Sequence, residues 1–109
     1  MSYALEKFYL ATLSLATGAG NINERLETAA LGLSVLSNPK VDLPEDIRND
    51  FDELWGELTA REAEEPGEGA IRATARQLDP EDARGLSERI FNMYFDVLGI
   101  TPFGRPRED

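Results

Sequence analysis

The chain has 109 residues, of which 41% are hydrophobic and 29% charged, a composition typical of one globular domain rather than of a fibrous or membrane protein. It contains neither cysteine nor histidine. Disulfides, thiolate nucleophiles, Ser-His and Cys-His pairs and the commonest metal ligand are therefore excluded. Eleven basic against 21 acidic residues give a formal net charge of −10, so we expect no direct binding to nucleic acid or to an anionic membrane.

Apolar residues at three- and four-residue spacing predict a first helix over residues 3–16. Gly18 and Gly20 are expected to end it, because glycine adopts the left-handed conformation that closes helices at little cost. Leu10 and Leu15 fall off the main apolar face, so this helix is expected to be buried on two sides or to form an oligomer seam. The face itself consists of Leu5, Phe8, Tyr9, Thr12, Leu13 and Ala16.

The second helix is predicted to begin at Asn21, because Asn21 and Glu24 have the spacing of a capping box. It is expected to end before Asn38-Pro39, since proline disfavours helical geometry in the preceding residue. A third helix is predicted over residues 44–59, with proline at its first position, where the missing N–H costs nothing. A charged loop over residues 60–69 follows.

Residues 70–78 predict a short fourth helix, with Ile71, Ala75 and Leu78 facing inward. Asp79 and Pro80 form a clear start for the last helix, which Gly99 is expected to close. The broad apolar set of this helix is typical of a central helix or of one that also meets a second subunit.

These elements predict an all-α fold, a compact helical bundle of four main helices plus one short helix. We expect one domain over residues 1–101 and a flexible C-terminal tail over residues 102–109, which is rich in proline and charge. The N-terminus lacks the basic start and unbroken apolar run of a signal peptide, so a cytoplasmic location is expected. No stretch is long and apolar enough to predict a membrane span.

Acidic residues are concentrated in residues 42–68, which hold eleven of them against two arginines. Asp46, Asp50, Glu53 and Glu57 follow at steps of four, three and four, so they share one helix face. The plainest interpretation is a solvated face opposite an apolar stripe. A second is a docking face for a basic partner, with the carboxylates imitating nucleic acid. A third is a carboxylate site for Mg²⁺ or Ca²⁺, which is disfavoured because the acids point outward and no histidine accompanies them.

Two stretches, residues 10–26 and 67–76, resemble a group of small, uncharacterised, all-helical bacterial proteins. The shared motifs are Gly-x-Gly-x-x-x-x-Arg-Leu, ending at Arg25 and Leu26, and Gly-Glu-Gly-x-x-x-Ala-Thr, which contains Arg72. The resemblance covers most of residues 5–98 and implies no catalytic, cofactor-binding or metal-binding residue. We interpret Arg25 together with Arg72 or Arg76 as structural arginines that tie loops to helix-terminal carbonyls and carboxylates.

The missing catalytic repertoire, the surplus apolar faces and the one-sided acidity favour a non-enzymatic protein-interaction or regulatory protein. Self-association through the first or last helix, as a two-fold homodimer, is expected, with an unidentified protein as a further partner. The alternatives are an acidic nucleic-acid-mimicking inhibitor of a basic protein and, less favoured, a carboxylate-based metal-binding protein. No cofactor is expected. The aromatic residues on the helical faces are expected in the core or in a dimer interface: Tyr9, Trp55, Phe91, Tyr94 and Phe95.

Overall fold

Five α-helices and one 3₁₀ turn make up most of the described chain, which in this computed structural model comprises residues 3–64, 67–101, 103–104 and 106. The all-α prediction is confirmed: four main helices and one short helix pack into a bundle with a radius of gyration of 13.8 Å. In chain order these elements are α1 (Tyr3–Thr17), α2 (Ile22–Leu33), the 3₁₀ turn (Ser34–Ser37), α3 (Glu45–Leu58), α4 (Ala70–Gln77) and α5 (Pro80–Leu98).

The corner between α1 and α2 is built from local hydrogen bonds. The predicted capping box is present: Asn21 Oδ1 accepts from the Glu24 N–H at 2.9 Å, and Glu24 Oε1 accepts from the Asn21 N–H at 3.2 Å. Gly20 has a φ of +92°, the left-handed conformation expected of it. Gly18 does not have a positive φ, so its role differs from the one predicted.

Two predicted helix boundaries shift for local reasons. Helix α2 ends at Leu33 and a 3₁₀ turn begins at Ser34. The Ser34 hydroxyl donates to the Leu31 carbonyl at 2.8 Å, and the Ser37 hydroxyl donates to the Ser34 carbonyl at 2.6 Å. These bonds accompany the tighter 3₁₀ winding that follows. Pro44 is the N-cap of α3 rather than its first helical residue, because its ψ of 145° is extended.

The last helix begins at Pro80 and is closed by Gly99 in the left-handed conformation, as predicted. Asp79 is its N-cap but forms no side-chain capping bond. The broad apolar face of α5 is explained by its neighbours, since α5 packs against α1, α2 and α3. Helix α2 is similarly central, with α1, α4 and α5 around it.

The core lies between these helices and has an aromatic centre. Phe8 of α1 meets Phe51 of α3 edge to face, with ring centroids 6.1 Å apart, and Trp55 stacks on Phe51 at 5.8 Å. Helices α1 and α2 pack against each other and both bury alanines. The largest fully buried side chains are Phe8, Phe51, Leu26, Leu33, Leu36, Leu54, Ile90 and Thr74.

After α5 the chain turns back on itself. The Gly104 N–H donates to the Thr101 carbonyl at 3.0 Å, and Ile100 forms an isolated antiparallel bridge with Pro106. The predicted flexibility of the tail over residues 102–109 falls mostly on residues outside those described. Among the described helices, none has the length and apolar character needed to cross a bilayer.

Candidate interaction surfaces

Helix α1 buries a narrower face than its sequence predicts. Ala4, Phe8 and Ala11 are buried, and Leu15, which falls off the predicted face, packs against the core. Leu13, placed on the buried face by spacing alone, is 43% exposed, and Ala16, Tyr9 and Leu10 are exposed as well. The reason is geometric: positions 4, 8, 11 and 15 form one row along a helix, and the neighbours α2 and α5 cover that row. An apolar outer side of α1 is left in solvent.

Four aromatic rings form a run of successive contacts between α1 and α5, here called the aromatic strip: Tyr9, Tyr94, Phe95 and Phe91. Successive ring centroids are 6.3 Å, 5.5 Å and 5.0 Å apart, so each ring touches the next from α1 across to α5. Tyr9 is 50% exposed and Phe91 42% exposed, while the two rings between them are half-buried. The two outer rings are therefore not core residues.

The predicted acidic face lies on the solvent side of α3. Asp46, Asp50, Glu53 and Glu57 are all exposed, opposite a buried row formed by Ile47, Phe51, Leu54 and Leu58. Glu57 forms an ion pair with Arg89 of α5. The other three carboxylates have no ion pair with any described residue. The face thus presents, on successive turns, three carboxylates that no described residue pairs with.

The geometry gives no support to a carboxylate metal site. Within the residues that the structure describes, no group of three or more acidic side chains is spaced to hold a metal ion. The acidic side chains of α3 point into solvent from one helix, whereas hard cations in bundles are held by carboxylates converging from several helices.

Arg25 bridges two helices. Its Nη1 donates to the Leu15 carbonyl at 2.9 Å, which satisfies one of the unpaired carbonyls in the last turns of α1. The aliphatic stem of Arg25 lies against Gly18, where an added Cβ would come within 3.1 Å of Arg25 Cγ and 2.5 Å of the Ser14 carbonyl oxygen. Glycine is therefore required at position 18 because a side chain would clash with its neighbours, and not because of a positive φ.

Arg72 and Arg76 do not tie down a loop within the described residues. Both are exposed, form no hydrogen bond or ion pair there, and line an open groove of about 670 Å³ between α2 and α4. Glu24 and Glu27 lie on the same groove, so its charge is mixed.

Among the described residues, a loop is tied down by Arg48, for which no role is predicted from the sequence. Its Nη1 donates to the Leu36 carbonyl at 2.8 Å and its Nη2 to the Val41 carbonyl at 2.7 Å. These bonds hold the segment before α3 against that helix. Arg48 Nη1 also lies 3.5 Å from Asp52 Oδ1, and this four-residue spacing of opposite charges is the local feature of the sequence that involves Arg48.

Two further polar residues that sequence reasoning missed hold α4 in place. Asn23 Nδ2 donates to the Ala75 and Leu78 carbonyls at 2.8 Å and 2.9 Å, so it caps the end of α4 from another helix. Thr74 is buried, and its Oγ1 accepts from the Arg61 N–H at 2.9 Å. No local pattern could have revealed these contacts, because the partners are 52, 55 and 13 residues apart in the chain.

No protein-family model, curated protein or solved structure matches the chain. The resemblance to small helical bacterial proteins therefore stays a prediction.

Proposed function

We propose that this protein is a non-enzymatic helical bundle that binds a protein partner through the aromatic strip. The observation that carries the proposal is the continuous contact of four rings whose outer members, Tyr9 and Phe91, are about half exposed. Aromatic side chains supply much of the binding energy at protein interfaces, since each offers a large rigid area at low entropic cost. Exposed apolar surface that is contiguous, rather than scattered, marks such sites.

The chemistry of the strip restricts the partner. Its rings suit an apolar helix or loop, and the Tyr9 and Tyr94 hydroxyls can donate to carbonyls at the edge of that segment. The net charge of −10 disfavours an acidic partner, so the segment is expected to be neutral or basic around its apolar centre.

The experiment is capture of the partner on immobilised protein, its identification by mass spectrometry, and direct titration of the two purified components. Phe91→Ser is expected to weaken binding at least tenfold, because a half-exposed ring in the strip is removed while the core stays intact. Leu31→Ser is the matched control, since Leu31 is 53% exposed but lies on α2, which contributes no ring to the strip. Equal affinity of folded Phe91→Ser and wild type for the captured protein would refute the proposal.

A second function is supported by a separate observation, the three carboxylates of the acidic face that form no ion pair with a described residue. In that case the protein inhibits a basic partner by presenting charges that imitate nucleic acid. Asp50→Asn combined with Glu53→Gln should then abolish binding while Phe91→Ser leaves it intact. Binding through this face would also weaken steeply as salt rises, because exposed charges are screened. Partner binding that does not change with salt concentration would argue against a role for the acidic face.

A further inference from the structure

The outer side of α1 carries a second row of residues with coiled-coil spacing. Tyr3, Glu6, Leu10, Leu13 and Thr17 follow at steps of three, four, three and four, and we call them the outer seam. This 3.5-residue repeat is the pattern of a helix that pairs with another helix. The inner row at positions 4, 8, 11 and 15 is already covered by the bundle. Helix α1 is therefore built with two pairing sides, and the described residues cover one of them.

All but one of the side chains in the outer seam are uncharged, which keeps the free-energy cost of burying them low. Tyr3 is 51% exposed and Leu10 and Leu13 are each 43% exposed, so the apolar members stand in solvent. Thr17 has its hydroxyl satisfied within the helix, where Oγ1 donates to the Leu13 carbonyl at 2.8 Å. Glu6 alone brings a charge into the row.

We propose that a second copy of this chain binds the outer seam, with the two α1 helices antiparallel about a two-fold axis. The proposal rests on the proposed function only in treating the protein as an interaction module. In an antiparallel helix pair the first and fourth positions of the heptad face each other across the axis. Leu10 then lies against Leu13 of the second copy, twice by symmetry, and Glu6 lies beside Thr17 of the second copy at each end.

Charge selects this arrangement over a parallel one. A parallel pair would place the two Glu6 side chains opposite each other across helices only about 8–10 Å apart. In the antiparallel register they are separated by eleven residues along the axis, or about 16 Å at ~1.5 Å per residue. That separation exceeds the screening length of about 8 Å at physiological salt, so the repulsion nearly vanishes. A shift by one heptad would bury each Glu6 against Leu10, which is costly for an unpaired charge.

The flanks of the seam are compatible with the same register. Lys7 and Ser14 lie on one side of the row and Tyr9 and Ala16 on the other. Antiparallel pairing places Lys7 near Ser14 of the second copy, and Tyr9 near Ala16 of the second copy. No like charges meet, and a large ring faces a methyl group. The sequence of α1 is thus self-complementary in one orientation.

The size of the seam sets the strength of the pair. The three half-exposed apolar side chains of the seam, Tyr3, Leu10 and Leu13, offer on the order of 300 Å² per copy, less than half of the ~800 Å² per partner in a standard interface. The dimer is accordingly concentration-dependent. Because each copy carries a net charge of −10, raising the salt concentration should strengthen the pairing by screening the overall repulsion. Partner binding through the acidic face has the opposite salt dependence.

Sedimentation equilibrium of the full chain over a concentration series tests the pairing. We expect a monomer–dimer equilibrium that Leu13→Glu shifts at least tenfold toward monomer. Leu31→Glu, which places a charge on a 53% exposed leucine of α2, should leave it unchanged. Circular dichroism of each variant verifies that the bundle is folded. A strict monomer at every concentration, or a dimer insensitive to Leu13→Glu, would overturn the proposal.

Orientation is tested by spin labelling, which is simple because the chain has no cysteine of its own. A label on Thr17→Cys, which leaves the charge of Glu6 in place, is expected to give a single inter-label distance that is clearly longer than the helix–helix separation. A short distance would show parallel pairing and contradict the register. Phe91→Ser separates this inference from the proposed function. If the protein is a monomer but binds a partner in a Phe91-dependent way, only the pairing through the outer seam is refuted. If it forms the dimer but binds no partner through Phe91, only the proposed role of the aromatic strip is refuted.

Discussion

Replacing Arg48 with methionine tests the claim that one arginine holds the segment before α3. Methionine keeps most of the aliphatic stem and removes the guanidinium, whose central carbon lies 6.0 Å from the centroid of the Phe51 ring. Two hydrogen bonds to the Leu36 and Val41 carbonyls, at 2.8 Å and 2.7 Å, are lost. The ion pair with Asp52 is lost too, but an exposed pair of this kind contributes only ~0–0.5 kcal/mol.

The expected loss of unfolding free energy follows from the charge and the exposure of the Arg48 guanidinium. Hydrogen bonds from a charged donor contribute about 1.5–3 kcal/mol each. The Arg48 side chain is 18% exposed, so water can reach the freed carbonyls and recover part of that loss. We therefore expect Arg48→Met to lower the free energy of unfolding by about 2–3 kcal/mol, which corresponds to a fall in Tm of roughly 10 °C. Arg48→Lys should lose about half as much, because an ammonium can reach one carbonyl but not both.

Urea denaturation followed by circular dichroism at the helical band measures these differences. Arg72→Met is the matched control, because Arg72 is exposed and without a hydrogen bond in the described chain; its expected effect is within about 0.5 kcal/mol. If Arg72→Met destabilises the protein as much as Arg48→Met, the geometric reasoning is wrong. An unchanged m-value is also required, since a change would indicate an altered unfolded state.

Two further predictions concern the corner between α1 and α2. Gly18→Ala should destabilise the protein by about 1–3 kcal/mol, because the new methyl group meets the Ser14 carbonyl and the Arg25 stem, whereas Gly85→Ala in open space on α5 should stabilise it by about 0.5–1 kcal/mol. Thermal melts of both variants check this, and two equal shifts would contradict the steric argument. Asn21→Ala removes one half of the capping box and should cost about 1 kcal/mol in urea denaturation; full stability would show that the cap contributes nothing.

The boundaries of the helices could be predicted well because their signals are local. Asn21 and Glu24 cap α2 through bonds three residues apart, and Pro80 and Gly99 delimit α5 by the torsion angles they allow. The end of α2 was predicted less accurately, because the Ser34 and Ser37 hydroxyls bond to nearby backbone carbonyls and favour a 3₁₀ turn.

The surfaces were harder to predict, since periodicity shows that a helix has an apolar side but not which neighbour covers it. On α1, spacing placed Leu13 on the main apolar face and Leu15 off it, whereas in the structure Leu13 is 43% exposed and Leu15 packs against the core. The aromatic strip could be anticipated only as a set of residues on helical faces. Its continuity depends on α1 and α5 lying side by side, which brings Tyr9 against Tyr94.

The amino-acid sequence by itself determined the all-α class, the starts and ends of most helices and the outward position of the acids on α3, because these follow from interactions within a few residues. The tertiary structure alone decided which of the two rows on α1 is buried. It also decided that, among the contacts of the described residues, Arg48 rather than Arg72 or Arg76 holds a loop. These outcomes depend on where distant segments meet, and on how far a side chain must reach to find an unpaired carbonyl.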